Sequence, residues 1–292
     1  MFVIVDAGAT KCAWKFVDDR GRLSCELAVA GINFAHQAGR LEASMSPEDH
    51  RALVEAFRAR PGIRGIHFYG AGIILSPDGE LPASLLPVDA FLREQAPGAR
   101  IEYASDLLGA ARAVCGRQRG IAAILGTGSN SCLYDGEKIV RNVRSCGYIL
   151  GDEGGGVALG RQFMADFLKG LVPEPVSGEF AAAFPVDYPT VVAEVYRGER
   201  PAAYLASFAP WILERYGRCD YVRGLVEGNF RAFVRRCIRQ YEPGPVGIVG
   251  GFAKANEAIL RKVFAEEDIP LAALAADPTE GLIRYHATGY GL

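Results

Sequence analysis

The sequence predicts a two-domain α/β protein, each domain a mixed sheet covered by helices on both faces, and three observations support this. The chain has 292 residues, more than a single hydrophobic core organises efficiently, so two domains of roughly 150 residues are expected. Its first hundred or so residues read as three hairpin-linked strands followed by alternating helices and strands, the pattern of a mixed sheet. The opening plan then recurs: Val3-Ile4-Val5-Asp6-Ala7-Gly8-Ala9-Thr10 has a weak counterpart in residues 121–130. A spacing of about 120 residues is far too long for a solenoid and fits two domains built on one topology.

Residues 2–5 form a β-branched apolar run that stops at Asp6-Ala7-Gly8-Ala9-Thr10. Apolar alternation resumes at Cys12, Trp14 and Phe16, the Asp18-Asp19-Arg20-Gly21 turn follows, and a third strand covers 23–29. Helical patterns at 47–60 and 82–95 flank a strand at 65–69, and another strand follows at 99–103. The second cycle has an apolar strand at 121–125, a glycine turn, a returning strand at 132–134 and the Asp135-Gly136 hairpin. Residues 156–241 are mostly helical in pattern, including 202–215 and 221–241, with proline interruptions at 173–175 and 185–189. A strand at 246–249 runs into Gly250-Gly251, a helix covers 254–266, and a last helix covers 278–288. The expected domains are 1–105 with the C-terminal helix 278–292, and 106–277 with a helical insertion at about 156–241.

Composition narrows the function. The chain is 50% hydrophobic and 23% charged, the balance of a globular protein. A net charge of -2 provides no field to hold nucleic acid or an anionic membrane, which favours a small-molecule partner. Arg231, Arg235, Arg236 and Arg239 read as a solvated helix face opposite Phe230, Phe233, Val234 and Cys237. The 7 cysteines form no C-x-x-C and do not pair evenly, so neither a zinc ribbon nor a disulfide scaffold is indicated and a reducing compartment is expected. The start, MFVIVDAGAT, has no basic leader, and no apolar run approaches the roughly 18 residues of a membrane span, so a cytoplasmic protein is expected.

Five segments carry chemistry. In the small-residue turn at Gly8, Ala9, Thr10 and Lys11, backbone N–H groups can approach phosphate oxygens. Asp6, at the end of the strand before it, can hold a cation through water or accept backbone N–H groups; a plain tight hairpin is the alternative. The second turn, Gly126-Thr127-Gly128-Ser129-Asn130, lacks both the dinucleotide-binding glycine spacing and the lysine of a P-loop. Paired with the first, it fits two hairpins gripping one polyphosphate from two domains. Asp106 follows a strand where a helix begins, so it is either an N-cap or a carboxylate placed to accept the proton of an attacking hydroxyl. In Gly151-Asp152-Glu153-Gly154-Gly155-Gly156, acidic acceptors precede a helix, and Asp152 with Asn130 and Asn33 suits a polyol. A structural glycine loop, and an Asx turn at Asn33, are the alternatives. Gly250 and Gly251 either let a flat base or ribose lie against backbone or serve tight strand-to-helix packing.

Taken in order, these segments resemble the sugar kinase, Hsp70 and actin superfamily. The resemblance implies two actin-like, ribonuclease H-like domains, each a mixed five-stranded sheet flanked by helices, with a cleft between them. More narrowly, the chain resembles the N-acetylglucosamine kinase group of the BadF/BadG/BcrA/BcrD ATPase family, over nearly its whole length. Its most specific parts are G-T-G-S-N at 126–130 and G-D-E-G at 151–154. The resemblance implies ATP and Mg2+ as cofactors, Asp106 as catalytic base, and Gly8–Lys11 with Gly126, Thr127 and Gly128 around the phosphates. It also implies Gly250 and Gly251 at adenosine, and Asn33, Ser129, Asn130, Gly147 and Asp152 at the sugar. A homodimer is suggested by the same family.

Two departures stand out. Animal N-acetylglucosamine kinases carry G-W-G before G-D-E-G, where this chain has Ser145-Cys146-Gly147. The cysteine pair with which dehydratase activators of the family hold an iron–sulfur cluster is not recognisable. The expectation is therefore phosphorylation of an amino-sugar hydroxyl, on N-acetylglucosamine, glucosamine or N-acetylmuramic acid. A dehydratase-activating ATPase and a non-catalytic nucleotide or sugar sensor are the alternatives.

Overall fold

The structure is a computed structural model that describes residues 1–8, 11–31, 45–75, 78 and 80–291. Ala9, Thr10 and Asn33, singled out above, lie outside the described residues. The chain forms two compact units: 1–117 with 136–138 and 278–292, and 118–135 with 139–277. The break falls one helix beyond the expected boundary at 105. Among the described residues no helix is long and apolar enough to cross a membrane.

In the first unit, β1 (Phe2–Ala7), β2 (Lys11–Val17) and β3 (Leu23–Ala30) precede α1 (Pro47–Arg58), β4 (Gly65–Gly70), α2 (Leu86–Gln95), β5 (Arg100–Ser105) and α3 (Asp106–Cys115). The sheet order is β3-β2-β1-β4-β5. The hairpin pairs are antiparallel, and β1–β4 and β4–β5 are parallel. Successive β1 side chains point to opposite faces. Val3 and Val5 enter one core with Trp14, Phe57 and Phe68, while Phe2 and Ile4 enter another with Tyr69 and Leu282. Burial on both faces is why β1 reads as an unbroken apolar run rather than an alternating one.

A polar network ties the C-terminal helix into this unit. His286 Nε2 meets the Tyr69 hydroxyl at 2.7 Å, and Arg112 donates to Tyr69 at 2.8 Å and to Glu102 at 2.7 Å. His67 bonds Glu102 at 2.9 Å and Tyr290 at 3.0 Å, and its ring stacks on His286 at 3.5 Å. Burial alone would raise the Glu102 carboxyl, but His67 and Arg112 hold it down to about 2.

The second unit contains β6 (Gly120–Leu125), β7 (Ser129–Tyr134), β8 (Ile139–Val143), α4 (Gly147–Leu150) and α5 (Gly156–Leu168). It continues with α6 (Val176–Ala183), α7 (Tyr188–Arg197), α8 (Pro201–Ala206), α9 (Ala209–Leu213) and α10 (Asp220–Arg236). The chain then forms β9 (Val246–Val249), α11 (Gly251–Ala255), α12 (Glu257–Glu266) and β10 (Leu271–Ala275), and α13 (Thr279–Ala287) returns to the first unit. The sheet order β10-β9-β6-β7-β8 is that of the first unit read from the other edge, with the same parallel and antiparallel pairs. The weak sequence repeat is thus a repeat of topology.

Two details differ from the sequence reading. The helix expected at 202–215 is two short helices, because Pro210 in the first turn of α9 cannot donate to a preceding turn. Strand β10 has the alanine-rich sequence Leu-Ala-Ala-Leu-Ala, a weak strand signal. The arginine face is as expected, with Arg235, Arg236 and Arg239 exposed and Phe230, Phe233, Val234 and Cys237 buried, and Arg235 at 2.8 Å, Arg239 at 3.0 Å and Arg231 at 3.5 Å also converge on the buried carboxylate of Glu267.

Candidate functional site

In the first unit, Ala7 of β1 pairs with Gly70 of β4, and Gly70 with Ser105 of β5, so three parallel strands end level. Asp6 and Asp106 lie at this carboxyl edge, where open α/β sheets bind ligands, on strands about 10 Å apart. Gly8 N–H donates to the Lys11 carbonyl at 3.0 Å, closing the first turn, and Lys11 is exposed at the start of β2. Asp6 lies near Cys12, where burial first and the Asp6 charge second push the thiol up.

The N-cap alternative for Asp106 is answered by its neighbour. The Ser105 hydroxyl oxygen accepts from Leu108 N–H at 3.2 Å and caps α3. Asp106 is the first helical residue, and its Oδ1 accepts from Leu107 N–H at 2.8 Å. Burial lifts its carboxyl above the ordinary aspartate value, opposed by hydrogen bonds from the backbone N–H groups of Leu107 and Asp106 itself. A carboxylate with raised proton affinity at a strand terminus is suited to general-base work.

In the second unit the turn between β6 and β7 closes with Gly126 N–H on the Gly128 carbonyl at 2.9 Å. The N-terminus of α5 docks on it: Gly156 N–H donates to Gly126 O at 2.9 Å and Val157 N–H to Thr127 O at 2.8 Å. Asp152 Oδ1 accepts from Ser129 N–H at 3.0 Å. With those groups committed, the N–H groups of Thr127 and Gly128 have no protein acceptor among the described residues. Two such amides in a glycine turn form an anion cradle. Thr127 is exposed, and nothing lies within 4 Å of a Cβ placed on Gly126, so the turn is open to a ligand.

The remaining sequence candidates divide by what holds them. Asp152 is buried with φ 57°, and burial raises its carboxyl while Ser129 N–H and Arg161 oppose the rise. One of its oxygens thus holds the turn. Asn130 Oδ1 is engaged by Ser131 N–H and Asn142 Nδ2, both at 2.9 Å, and Ser129 is buried. Gly250 has φ 146°, and a Cβ there would lie 2.0 Å from the Leu125 carbonyl oxygen, so close packing of β9 on β6 already demands glycine. Gly251 opens α11 with nothing within 4 Å of a Cβ, leaving room for a planar group. The structure thus gathers Gly126–Asn130, Asp152, Gly250 and Gly251 in one unit, and Asp6, Gly8, Lys11 and Asp106 in the other.

Sequence reasoning missed the residues that support the glycine loop. Asn229 of α10 accepts from Gly154 N–H at 3.0 Å and donates to Gly155 O at 3.2 Å. Arg161 donates to the carbonyls of Tyr148, Ile149 and Gly151. The Tyr241 hydroxyl meets Ser131 Oγ at 2.9 Å and accepts from Val143 N–H at 2.8 Å.

No protein-family model and no curated protein matches the chain. Among solved structures, a candidate N-acetylglucosamine kinase from Porphyromonas gingivalis is 36% identical with a TM-score of 0.88, covering 99% of this chain and 100% of its own. The chain belongs to the N-acetylglucosamine kinase-like family of actin-like sugar kinases. A second candidate N-acetylglucosamine kinase, from Chromobacterium violaceum, has 20% identity and a TM-score of 0.69, covering 98% and 99% of the two chains. A ROK glucokinase from Streptomyces griseus, solved with glucose and AMPPNP, has 19% identity and a TM-score of 0.55, covering 97% and 96%. The latter two share the fold.

In this member of the N-acetylglucosamine kinase-like family, the segment Ser145-Cys146-Gly147 is held by backbone. Asp152 N–H donates to the Ser145 carbonyl at 3.0 Å, and a Cβ on Gly151 would come within 1.9 Å of the same oxygen. Cys146 is exposed with φ 59°, and Gly147, with φ 69°, opens α4. Ser145 and Cys146 line a cavity of about 440 Å³ with Glu153, Arg236 and Cys237, so the small Cys146 side chain borders open volume.

Proposed function

We propose that this protein transfers the γ-phosphoryl group of ATP to a hydroxyl of an amino sugar, N-acetylglucosamine or a close relative such as glucosamine or N-acetylmuramic acid. The observation that carries this reading is the whole-length likeness to the Porphyromonas gingivalis protein. The sugar oxygen forms a bond to Pγ, the bond from Pγ to the bridging β,γ-oxygen breaks, ADP leaves, and the hydroxyl proton passes to Asp106. Phosphoryl transfer needs little covalent help from protein, so these residues act by position and charge.

Asp106 supports the reading because burial raises its affinity for the proton it must accept. The Thr127 and Gly128 amides support it because they provide uncharged donors for phosphate oxygens, while Ser129, Asn130 and Asp152 lie beside them for sugar hydroxyls. Asp6 fits a hydrated Mg2+, being a hard oxygen donor at a strand terminus, and would hold it through water. Mg2+ neutralises phosphate charge when bound.

A coupled ADP-release assay over a panel of amino sugars and plain hexoses tests the proposal. Sugar-stimulated ADP release with an amino sugar preferred is expected. ADP release unaffected by every sugar, or plain glucose preferred over all amino sugars, contradicts it.

A further inference from the structure

We infer that Asn229 is a positioning residue for the phosphate-binding turn, acting through the glycine loop 152–156 from one face of α10. The inference rests on the kinase reading above and names what orients its nucleotide cradle. Three contacts from α10 reach the loop. Both ends of the Asn229 amide are used, Oδ1 by Gly154 N–H at 3.0 Å and Nδ2 on Gly155 O at 3.2 Å, which fixes its orientation. Four residues on, Phe233 closes against Gly154, where a Cβ would lie 2.7 Å from the Phe233 Cβ. Three further, Arg236 pairs with Glu153 at 2.6 Å. The spacing i, i+4, i+7 puts the three side chains on one helix face.

The loop's other side carries the turn. Asp152 holds Ser129 N–H, and Gly156 and Val157 N–H hold the carbonyls of Gly126 and Thr127. Each of those bonds directs a peptide plane in the turn, and the planes set where the Thr127 and Gly128 N–H groups point. Removing the Asn229 amide leaves Gly154 N–H without its acceptor and Gly155 O with only the Leu159 N–H at 3.3 Å, which loosens the loop between its two anchors. Helix α10 keeps its buried face of Val222, Val226, Phe230, Phe233 and Val234, so its docking does not depend on Asn229.

Kinetics of Asn229→Ala, Asn229→Asp and Arg236→Ala test this, with thermal melting alongside. Asn229→Ala is expected to raise the KM for ATP about tenfold and the KM for the sugar by less, because Asp152 at the start of the loop keeps its own bond to Ser129 N–H. Asn229→Asp keeps the acceptor for Gly154 N–H and should recover part of the loss. Arg236→Ala, at an exposed pair, should produce a smaller rise of the same kind. An unchanged ATP KM in Asn229→Ala, or equal rises for ATP and sugar accompanied only by a lower Tm, overturns the positioning role while the kinase stands. Wild-type protein that turns over no sugar overturns the kinase reading. In that case titration of a non-hydrolysable ATP analogue, read by tryptophan fluorescence, decides the positioning role: tenfold weaker binding in Asn229→Ala sustains it, and equal or absent binding removes it.

Discussion

Replacing Gly155 by alanine isolates the contact between α5 and the turn that joins β6 to β7. Gly155 has φ -82° and ψ 164°, extended backbone that alanine adopts freely, so the substitution adds no backbone strain. A Cβ there would lie 2.8 Å from Gly128 C, Gly128 O and Thr127 O, all main-chain atoms that no rotamer change can clear. The methyl must therefore push α5 off the turn, stretching the Gly156-to-Gly126 and Val157-to-Thr127 hydrogen bonds. Each such bond contributes about 1 kcal/mol and overpacking costs about 1–3 kcal/mol, giving a destabilisation of about 2–4 kcal/mol. For a domain of this size that lowers Tm by about 5–15 °C. Gly224→Ala is the matched control, because a Cβ on this α10 residue meets nothing within 4 Å; it should stabilise by about 0.5–1 kcal/mol. Differential scanning calorimetry with an ATP-analogue titration reads both. A Gly155→Ala protein that melts with the wild type and binds the analogue equally would refute the docking argument.

Asp106→Asn should lower kcat about 100- to 10,000-fold with ATP-analogue binding retained, and turnover near the wild-type rate would reject Asp106 as the base. Because burial raises the Asp106 pKa, its active deprotonated form is lost as pH falls through a value above the ordinary aspartate range. The acid limb of kcat/KM should therefore lie above about 4, as pH–rate profiles will show. Burial first, and the charge of His67 second, hold His286 down to about 3, so its contribution to stability is full above about 6.5 and is lost as pH falls from there toward 3. His286→Gln, which can still bond Tyr69, should flatten the Tm profile over that window; an unchanged slope in the variant argues against a neutral His286. Gly250→Ala, which would set a Cβ 2.0 Å from Leu125 O, should cost about 3 kcal/mol or more, and a soluble variant with wild-type Tm would reject that packing.

The architecture was legible because its signals are local. Asp6-Ala7-Gly8 interrupts one apolar run and Gly126-Thr127-Gly128 another, so the repeated hairpin could be read from turn chemistry alone. Strand β10 was not named because alanine and leucine favour helix as readily as strand, and its place beside β9 is set by packing. Asp106 could be located but not assigned, since only coordinates show that Ser105 supplies the cap. Asn229 was hidden for a related reason. Phe230, Phe233 and Val234 define the buried stripe of α10, but a polar residue at its border looks the same whether it meets water or a loop distant in sequence.

The two sheets share a topology, yet the edges that end their first strands carry opposite chemistry, and this separation supports the proposed reaction. The first unit finishes β1 at Asp6-Ala7 and begins α3 with Asp106, placing two carboxylates at one edge, which suits cation binding and proton acceptance. The second unit finishes β6 at Ile124-Leu125, and its nearby acids are already engaged: Asp152 by Ser129 N–H and Glu153 by Arg236. What remains open on that turn is the pair of backbone amides at Thr127 and Gly128. A phosphate tail beside an unengaged carboxylate would be repelled, whereas beside amides it gains hydrogen bonds that need no counter-charge. Pairing Glu153 with Arg236 offsets one of the two negative charges beside the second turn, so G-D-E-G opposes an anion there less than its two acids suggest.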